Sequence, residues 1–491
     1  METKTPKNKL TLKSKNPTTT GLIKFFLIFF GISIFVASVF AAASGGESWK
    51  YMLFHNGPYT DMYMDFFNSI RDAGAEDVYT ARNNIYPPLS LLIFKILGFI
   101  VSDDLVDLPN KQRVLLQSDQ KCMMVYIIFA CIIILSMSTI INTYVNRLKW
   151  KNKKKEEVLN SVISFALILS YPVMYCIERG NIIILSMIFT MFFIFFKDVD
   201  NKIIRELSYI SLAIAAGIKL YPAIFGLLLL FEKKYKDAAR LVVYGIIAVF
   251  LPFIFFINKP ETLSIGLNNC LTLASVTNNN LLAANGDSSA LSNIIENLIS
   301  FATKKKNRLN FSSVSIQNFV FLVNPLNTKL ATIVMCITEA VAIAGLAFTK
   351  KKWQQIFLLA YIMLNIPSAS SSYALTFLII PFIMFLFDDE GNGYPAEKRH
   401  KIDYFYILCF ALLLTPLPVL WYFHEDAAKQ IFMNLGVPYQ SKINQVIAGF
   451  VYQGMFFVIM FEQIISTLKS KKTTKNTISE NNEISLNNEV A

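Results

Sequence analysis

Long apolar runs alternate with short polar tracts along the whole chain. Leu22–Ala43, Met123–Val145 and Val158–Ile177 carry almost no charge, and each approaches the ~20 residues an α-helix needs to cross a bilayer. Ile182–Phe196, Leu241–Phe256, Leu330–Phe348, Ile356–Ile366, Tyr373–Phe387, Tyr404–Trp421 and Ile443–Leu468 continue the pattern. The ten-residue alternation of an outer-membrane barrel is not present. The pattern predicts an all-α, polytopic transmembrane helix bundle of about 10–13 membrane helices with long outer loops. A basic N-terminal tail (1–20) precedes the membrane domain (21–468). The tail 469–491 is polar, Asn-rich and expected to be disordered.

The polar tracts give the direction of threading. Lys and Arg gather at Lys149–Lys155, Lys233–Lys236, Lys350–Lys352, Lys398–Lys401 and Lys469–Lys472, as in loops held on the cytoplasmic side. This places the long loops 45–86 and 258–327 outside, with Glu178–Asn181 at the same face. Leu207–Phe231 is flanked by basic tracts at both ends and interrupted by Gly217, Lys219 and Pro222. Two half-helices bent at Lys219–Pro222 fit that flanking, since broken helices at membrane depth are tolerated where they line a polar cavity. Leu89–Val101 is too short to span upright, so it is either re-entrant or a span that breaks the charge rule.

Composition narrows the classes. The chain has 491 residues, 54% hydrophobic and 16% charged, with 42 Phe, which is too little charge to cover a soluble surface. The net charge of +12 would suit nucleic acid, but its confinement to short tracts between apolar runs excludes that reading. The six cysteines and three histidines are scattered, so neither a metal centre nor a redox pair is expected. No Gly-rich phosphate loop or nucleophile elbow occurs.

The candidate chemistry lies in the outer loops and at the breaks. Asp61 and Asp65 are four apart in Tyr59–Phe67, and on a helix they would share one face. A desolvated carboxylate there suits a general base; the plainer reading is a solvated loop with ordinary surface acids. Arg179 and Lys219 fall between apolar segments. Burying a cation there costs roughly 2.5–3.5 kcal/mol, so such groups face a cavity or ligand, or snorkel to the interface. Arg offers a bidentate fork for phosphate and Lys a compact charge.

Several motifs fall in a recognisable order: an early outer acid (Asp61 or Asp65), Tyr79, and Tyr86-Pro87-Pro88-Leu89 opening an apolar run. Arg179-Gly180-Asn181 then precedes a helix, and Lys219-Leu220-Tyr221-Pro222 leads into an apolar run and the cluster Lys233–Lys236. Asp287–Leu291 and the turn Pro367–Tyr373 come later. The series resembles the polytopic glycosyltransferases of the GT-C class, specifically the GT87 (DUF2029) mannosyltransferase-like family. Two departures are visible: the family's Gly-Gln-x-Asn-like turn lacks its Gln here, and the late turn lacks Trp and His.

The resemblance implies a GT-C-like fold and a polyprenyl-phosphate sugar donor, often mannosyl. The acceptor would be a lipid-linked glycan, a wall polymer or a protein. Asp61 or Asp65 would be the base. Arg82, Arg179 and Lys219 would stabilise the leaving lipid phosphate, and Tyr86, Asn181 and Tyr221 would complete the substrate site. No metal or other cofactor is expected, because cations hold the leaving phosphate. Inversion at the anomeric carbon and an extracytoplasmic active site in the cell membrane follow from the class. A lipid-glycan flippase or exporter, and a surface-polysaccharide polymerase or ligase, are the alternatives.

Overall fold

The computed structural model describes residues 18–43, 45, 62–80, 82, 84–101, 114–148, 153–257, 259–271, 316, 328–365, 372–388, 399–416 and 447–468. Among them every regular element is helical. In chain order these are α1 (Thr19–Ala43), α2 (Met64–Gly74), α3 (Pro88–Gly98), α4 (Val114–Ser118), α5 (Gln120–Arg147), α6 (Lys153–Ile168), α7 (Tyr171–Arg179), α8 (Ile183–Phe196) and α9 (Lys202–Ile218). A 3-10 turn (Tyr221–Gly226) leads to α10 (Leu227–Phe231), then α11 (Tyr235–Phe250), a second 3-10 turn (Leu251–Phe255), α12 (Pro260–Leu271), α13 (Thr328–Phe348) and α14 (Lys352–Asn365). A third 3-10 turn (Ser372–Leu378) opens α15 (Ile379–Phe387), followed by α16 (Asp403–Leu414) and α17 (Ile447–Leu468).

Four helices among the described residues are long and apolar enough to cross a membrane: α1, α5, α11 with its 3-10 extension, and α17. The pair α6–α7 makes a fifth candidate. Their outward faces are apolar. Ile28, Ile32 and Phe35 of α1, Ile132 and Leu135 of α5, and Val242 and Ile246 of α11 are all exposed, the pattern of helices solvated by lipid. By contrast α8, α14 and α15 are almost wholly buried and form the centre of the bundle.

The run Val158–Ile177 was expected as one helix. It is two, α6 and α7, bent by 48°. Pro172 stands in the first turn of α7 behind an extended Ser170 (φ −65°, ψ 148°). Its ring has no N–H to offer the preceding turn, so the helix restarts there.

The expected break in 207–231 is present. Lys219 is extended (φ −143°, ψ 126°) and ends α9. Carbonyls at a helix end need new donors, and neighbouring hydroxyls supply them. Ser90 Oγ donates to the Ile218 carbonyl (2.6 Å), and Ser186 Oγ to that of Ala215 (2.9 Å). Gly217 makes the packing possible: a Cβ there would lie 2.7 Å from Leu89 Cδ2 and 2.8 Å from the Ala248 carbonyl oxygen.

The two halves of the chain are joined through α1. The buried Arg399 guanidinium donates to the carbonyls of Phe385 (2.7 Å) and Leu386 (2.9 Å) at the end of α15, and Nε to Thr19 Oγ1 (3.0 Å). Phe26 packs on Phe382 (4.6 Å between centroids), and Ser33 Oγ donates to the Pro416 carbonyl.

Candidate active site

The site is built on the first turn of α2. Asp65 stands there, behind Tyr63 in the left-handed conformation (φ 59°). That conformation ends the helix on its N-terminal side. Asp61 itself lies outside the described residues.

Asp65 meets the turn between α7 and α8. Arg179 Nη2 donates to Oδ1 (2.7 Å) and Asn181 Nδ2 donates to Oδ2 (2.8 Å). The turn can approach so closely because its middle residue is glycine. Gly180 has φ 65°, and a Cβ there would sit 2.7 Å from Phe66 Cβ and 3.2 Å from the Tyr63 carbonyl oxygen. The Tyr63 N–H donates to the Glu178 carbonyl (2.8 Å) and locks the register. Asn181 also accepts from the Ile183 N–H through Oδ1 (3.0 Å), so it bridges Asp65 and the start of α8.

Lys219 enters from the break after α9. It is 8% exposed, and its Nζ lies 3.8 Å from the centroid of the Tyr86 ring. It makes no ion pair among the described residues, and Asp65 lies within electrostatic range. A desolvated ammonium on a tyrosine face is held by the ring quadrupole and keeps its hydrogen-bond donors for a ligand.

The Tyr86-Pro87-Pro88 segment positions that ring. Pro87 is extended (φ −56°, ψ 151°) and Pro88 opens α3, where its missing N–H costs nothing. The Tyr86 N–H donates to Asn84 Oδ1 (2.8 Å), Asn84 Nδ2 donates to Asp72 (3.1 Å), and the Tyr79 hydroxyl donates to the Tyr86 carbonyl (3.1 Å). Burial and the Asp65 carboxylate push the Tyr86 phenol above its ordinary range, so it stays a neutral donor. Tyr221 and Tyr373 complete the group: both lie near Tyr86, and Tyr373 near Asp65 as well.

Of the residues singled out in the sequence, the structure thus brings together Asp65, Tyr86, Arg179, Asn181, Lys219 and Tyr221. Arg82 is not brought in: its side chain makes no hydrogen bond or ion pair among the described residues, and its N–H donates to the Asp77 carbonyl (3.4 Å). Asp287–Leu291 and 367–371 lie outside the described residues. Sequence reasoning missed Ser69, which donates to the Asp65 carbonyl (2.5 Å) and lies beside Tyr86. Its spacing of four from Asp65 was the available signal. It also missed Cys176, whose thiol donates to the Asn181 carbonyl (3.4 Å). No group of three His, Cys, Asp or Glu side chains able to hold a metal converges among the described residues.

The apolar helices and the polar group enclosed between them define an all-helical, polytopic membrane protein with a charged, tyrosine-lined site. Residues 84–277 match the sequence profile of glycosyltransferase family 87; the match supports the family the motifs indicated, and with it glycosyltransferase activity. It contains Tyr86, Arg179, Asn181, Lys219 and Tyr221, and Asp65 lies upstream of it. No curated protein and no solved structure matches the chain.

Proposed function

We propose that the chain transfers a sugar, mannosyl or a related hexosyl unit, from a polyprenyl-phosphate donor to a glycan acceptor. The reaction takes place at the extracytoplasmic face of the cell membrane, opposite the basic loops. The observation that carries this reading is the Asp65–Arg179 pair (2.7 Å) beside a buried Lys219 that has no ion-pair partner among the described residues.

Each step has a residue for it. The acceptor hydroxyl loses its proton to the Asp65 carboxylate as its oxygen attacks the anomeric carbon. Each carboxylate oxygen accepts one hydrogen bond and keeps a further lone pair for that proton. The bond from the anomeric carbon to the phosphate oxygen breaks, and its electron pair leaves with the polyprenyl phosphate. Lys219 and Arg179 stabilise the charge that develops there, as preformed cations in a water-poor site. Tyr86, Tyr221 and Asn181 supply donors and ring faces for the sugar. One displacement inverts the anomeric centre.

The test is transfer of labelled sugar from polyprenyl-phosphate mannose in membranes containing Asp65→Asn or Asp61→Asn protein. Asp65→Asn is expected to lower transfer by about 10²–10⁴-fold. Wild-type rates in both variants would overturn the assignment of the base. Movement of intact labelled lipid without a new glycosidic bond would instead identify a flippase.

A further inference from the structure

A second polar region lies at the other end of the bundle. From Asn181, α8 runs fourteen residues to Lys197, which at 1.5 Å per residue is about 21 Å. α5 spans the same distance and more, from Tyr126 against Tyr63 to Arg147 in its last turn. Where α5, α8, α10, α14 and α15 converge there is a cavity of about 460 Å³, and next to it a second of about 490 Å³ that shares Lys197, Asp198, Glu232 and Lys352. None of the residues assembled around Asp65 lines either one.

The charges in the first cavity are of two kinds. Lys197 is 4% exposed and bonds to Asp198 (2.7 Å) and to Glu232; Lys234 bonds to the same two carboxylates. Those four groups satisfy one another. Arg147 and Lys352 have no carboxylate partner among the described residues. The Arg147 guanidinium lies 5.2 Å from the centroid of the Phe196 ring, which leaves its N–H fork open. Asp388, at the wall, accepts from the Tyr144 hydroxyl (3.5 Å). Apart from Gln355 the remaining wall is apolar, including Ile194, Leu228 and Ile356.

Two cations with no carboxylate partner among the described residues, above a largely apolar wall, match a ligand that carries an anion at the end of an apolar body. The cavity lies at the ends of apolar helices, beside the basic tracts Lys233–Lys236 and Lys350–Lys352. A phosphodiester at the membrane surface meets both conditions, since Arg binds phosphate bidentately and Lys as a point charge. We infer that this cavity binds the phosphate of an anionic phospholipid headgroup, with Arg147 and Lys352 as its ligands. The site is separate from the glycosyl-transfer centre and does not depend on the assignment of that centre.

Thermal unfolding of the purified full-length protein in neutral detergent tests it, with short-chain phosphatidylglycerol, short-chain phosphatidylcholine or inorganic phosphate added. Phosphatidylglycerol is expected to raise the unfolding temperature saturably, and the other two at equal concentration are not. Arg147→Gln with Lys352→Gln should weaken the phosphatidylglycerol response by about tenfold or more, as expected for loss of charged hydrogen bonds. Asp388→Asn removes a carboxylate from the wall and should tighten it severalfold, a gain that misfolding cannot produce. An equal response to inorganic phosphate overturns the lipid assignment, and an equal response to phosphatidylcholine overturns the anion assignment. An unchanged response in the double variant, or a weakened one in Asp388→Asn, overturns the residues.

Discussion

The two polar ends of the bundle use similar residues differently. At the basic end, Lys197 and Lys234 face Asp198 and Glu232, and all four charges close on themselves. At the other end, one carboxylate is shared between Arg179 and Asn181, while Lys219 lies on a tyrosine ring with no ion-pair partner among the described residues. A closed network needs nothing further and serves to join helices. An open one retains an unsatisfied charge at the edge of the membrane, which is costly unless a ligand uses it. Composition alone would not separate the two networks; the pairing does, and Arg147 and Lys352 at the basic end stand outside the closed one.

The comparison can be broken most sharply at Asp65. Asp65→Asn should lower the transfer rate by about 10²–10⁴-fold, the range for loss of a general base, measured as initial rate at saturating donor. Lys219→Met should cost about 10²–10³-fold, the range for one lost electrostatic stabiliser. Lys219→Arg should recover part of it. Gly180→Ala tests the geometry rather than the charge. A left-handed alanine costs about 1–2 kcal/mol, and its methyl also meets Phe66 at 2.7 Å. Transfer should fall by at least about tenfold, with a lower unfolding temperature.

The smallest effect belongs to the closed network. Burial acts to raise the Asp198 carboxyl, and Lys197 and Lys234 outweigh it, holding it at about 2. The folded value is below the ordinary one of about 3.9, so the stabilisation is full above that value and is lost as pH falls toward 2. Asp198→Asn should lower the unfolding temperature slightly at pH 7. Of its two pairs, the exposed one with Lys234 is worth about 0–1 kcal/mol. The gap to wild type should hold to about pH 5 and close on further acidification. A gap that widens in acid would show that the network does not work through Asp198.

What could be read from the sequence was what is local. Gly217, Lys219 and Pro222 mark the break after α9 because each acts on its own stretch of backbone. Tyr86-Pro87-Pro88 reads as a helix start for the same reason. The left-handed residue just ahead of α2 was not legible, because Tyr63 is not a residue that advertises positive φ. Pro172 was in plain view, but unbroken hydropathy across 158–177 hid the bend it makes. The Asp65–Arg179 pair links residues 114 apart, and no periodicity reports such a contact. The motif resemblance placed both groups in one site without showing that they touch. The openness of the Lys219 charge was beyond any reading of sequence, since it depends on what does not stand beside it.

The contact of Arg399 with Thr19 also carries a consequence for biogenesis. It joins residues 380 apart, and the partner of Ser33, Pro416, is 383 positions away. The first membrane helix leaves the ribosome before almost every surface that will hold it exists. Until α15 and α16 are made, α1 has little but α6 to pack against. Its capture by the end of α15 waits for Arg399, so chains truncated before that residue should leave α1 accessible to lateral crosslinkers and to intramembrane proteolysis.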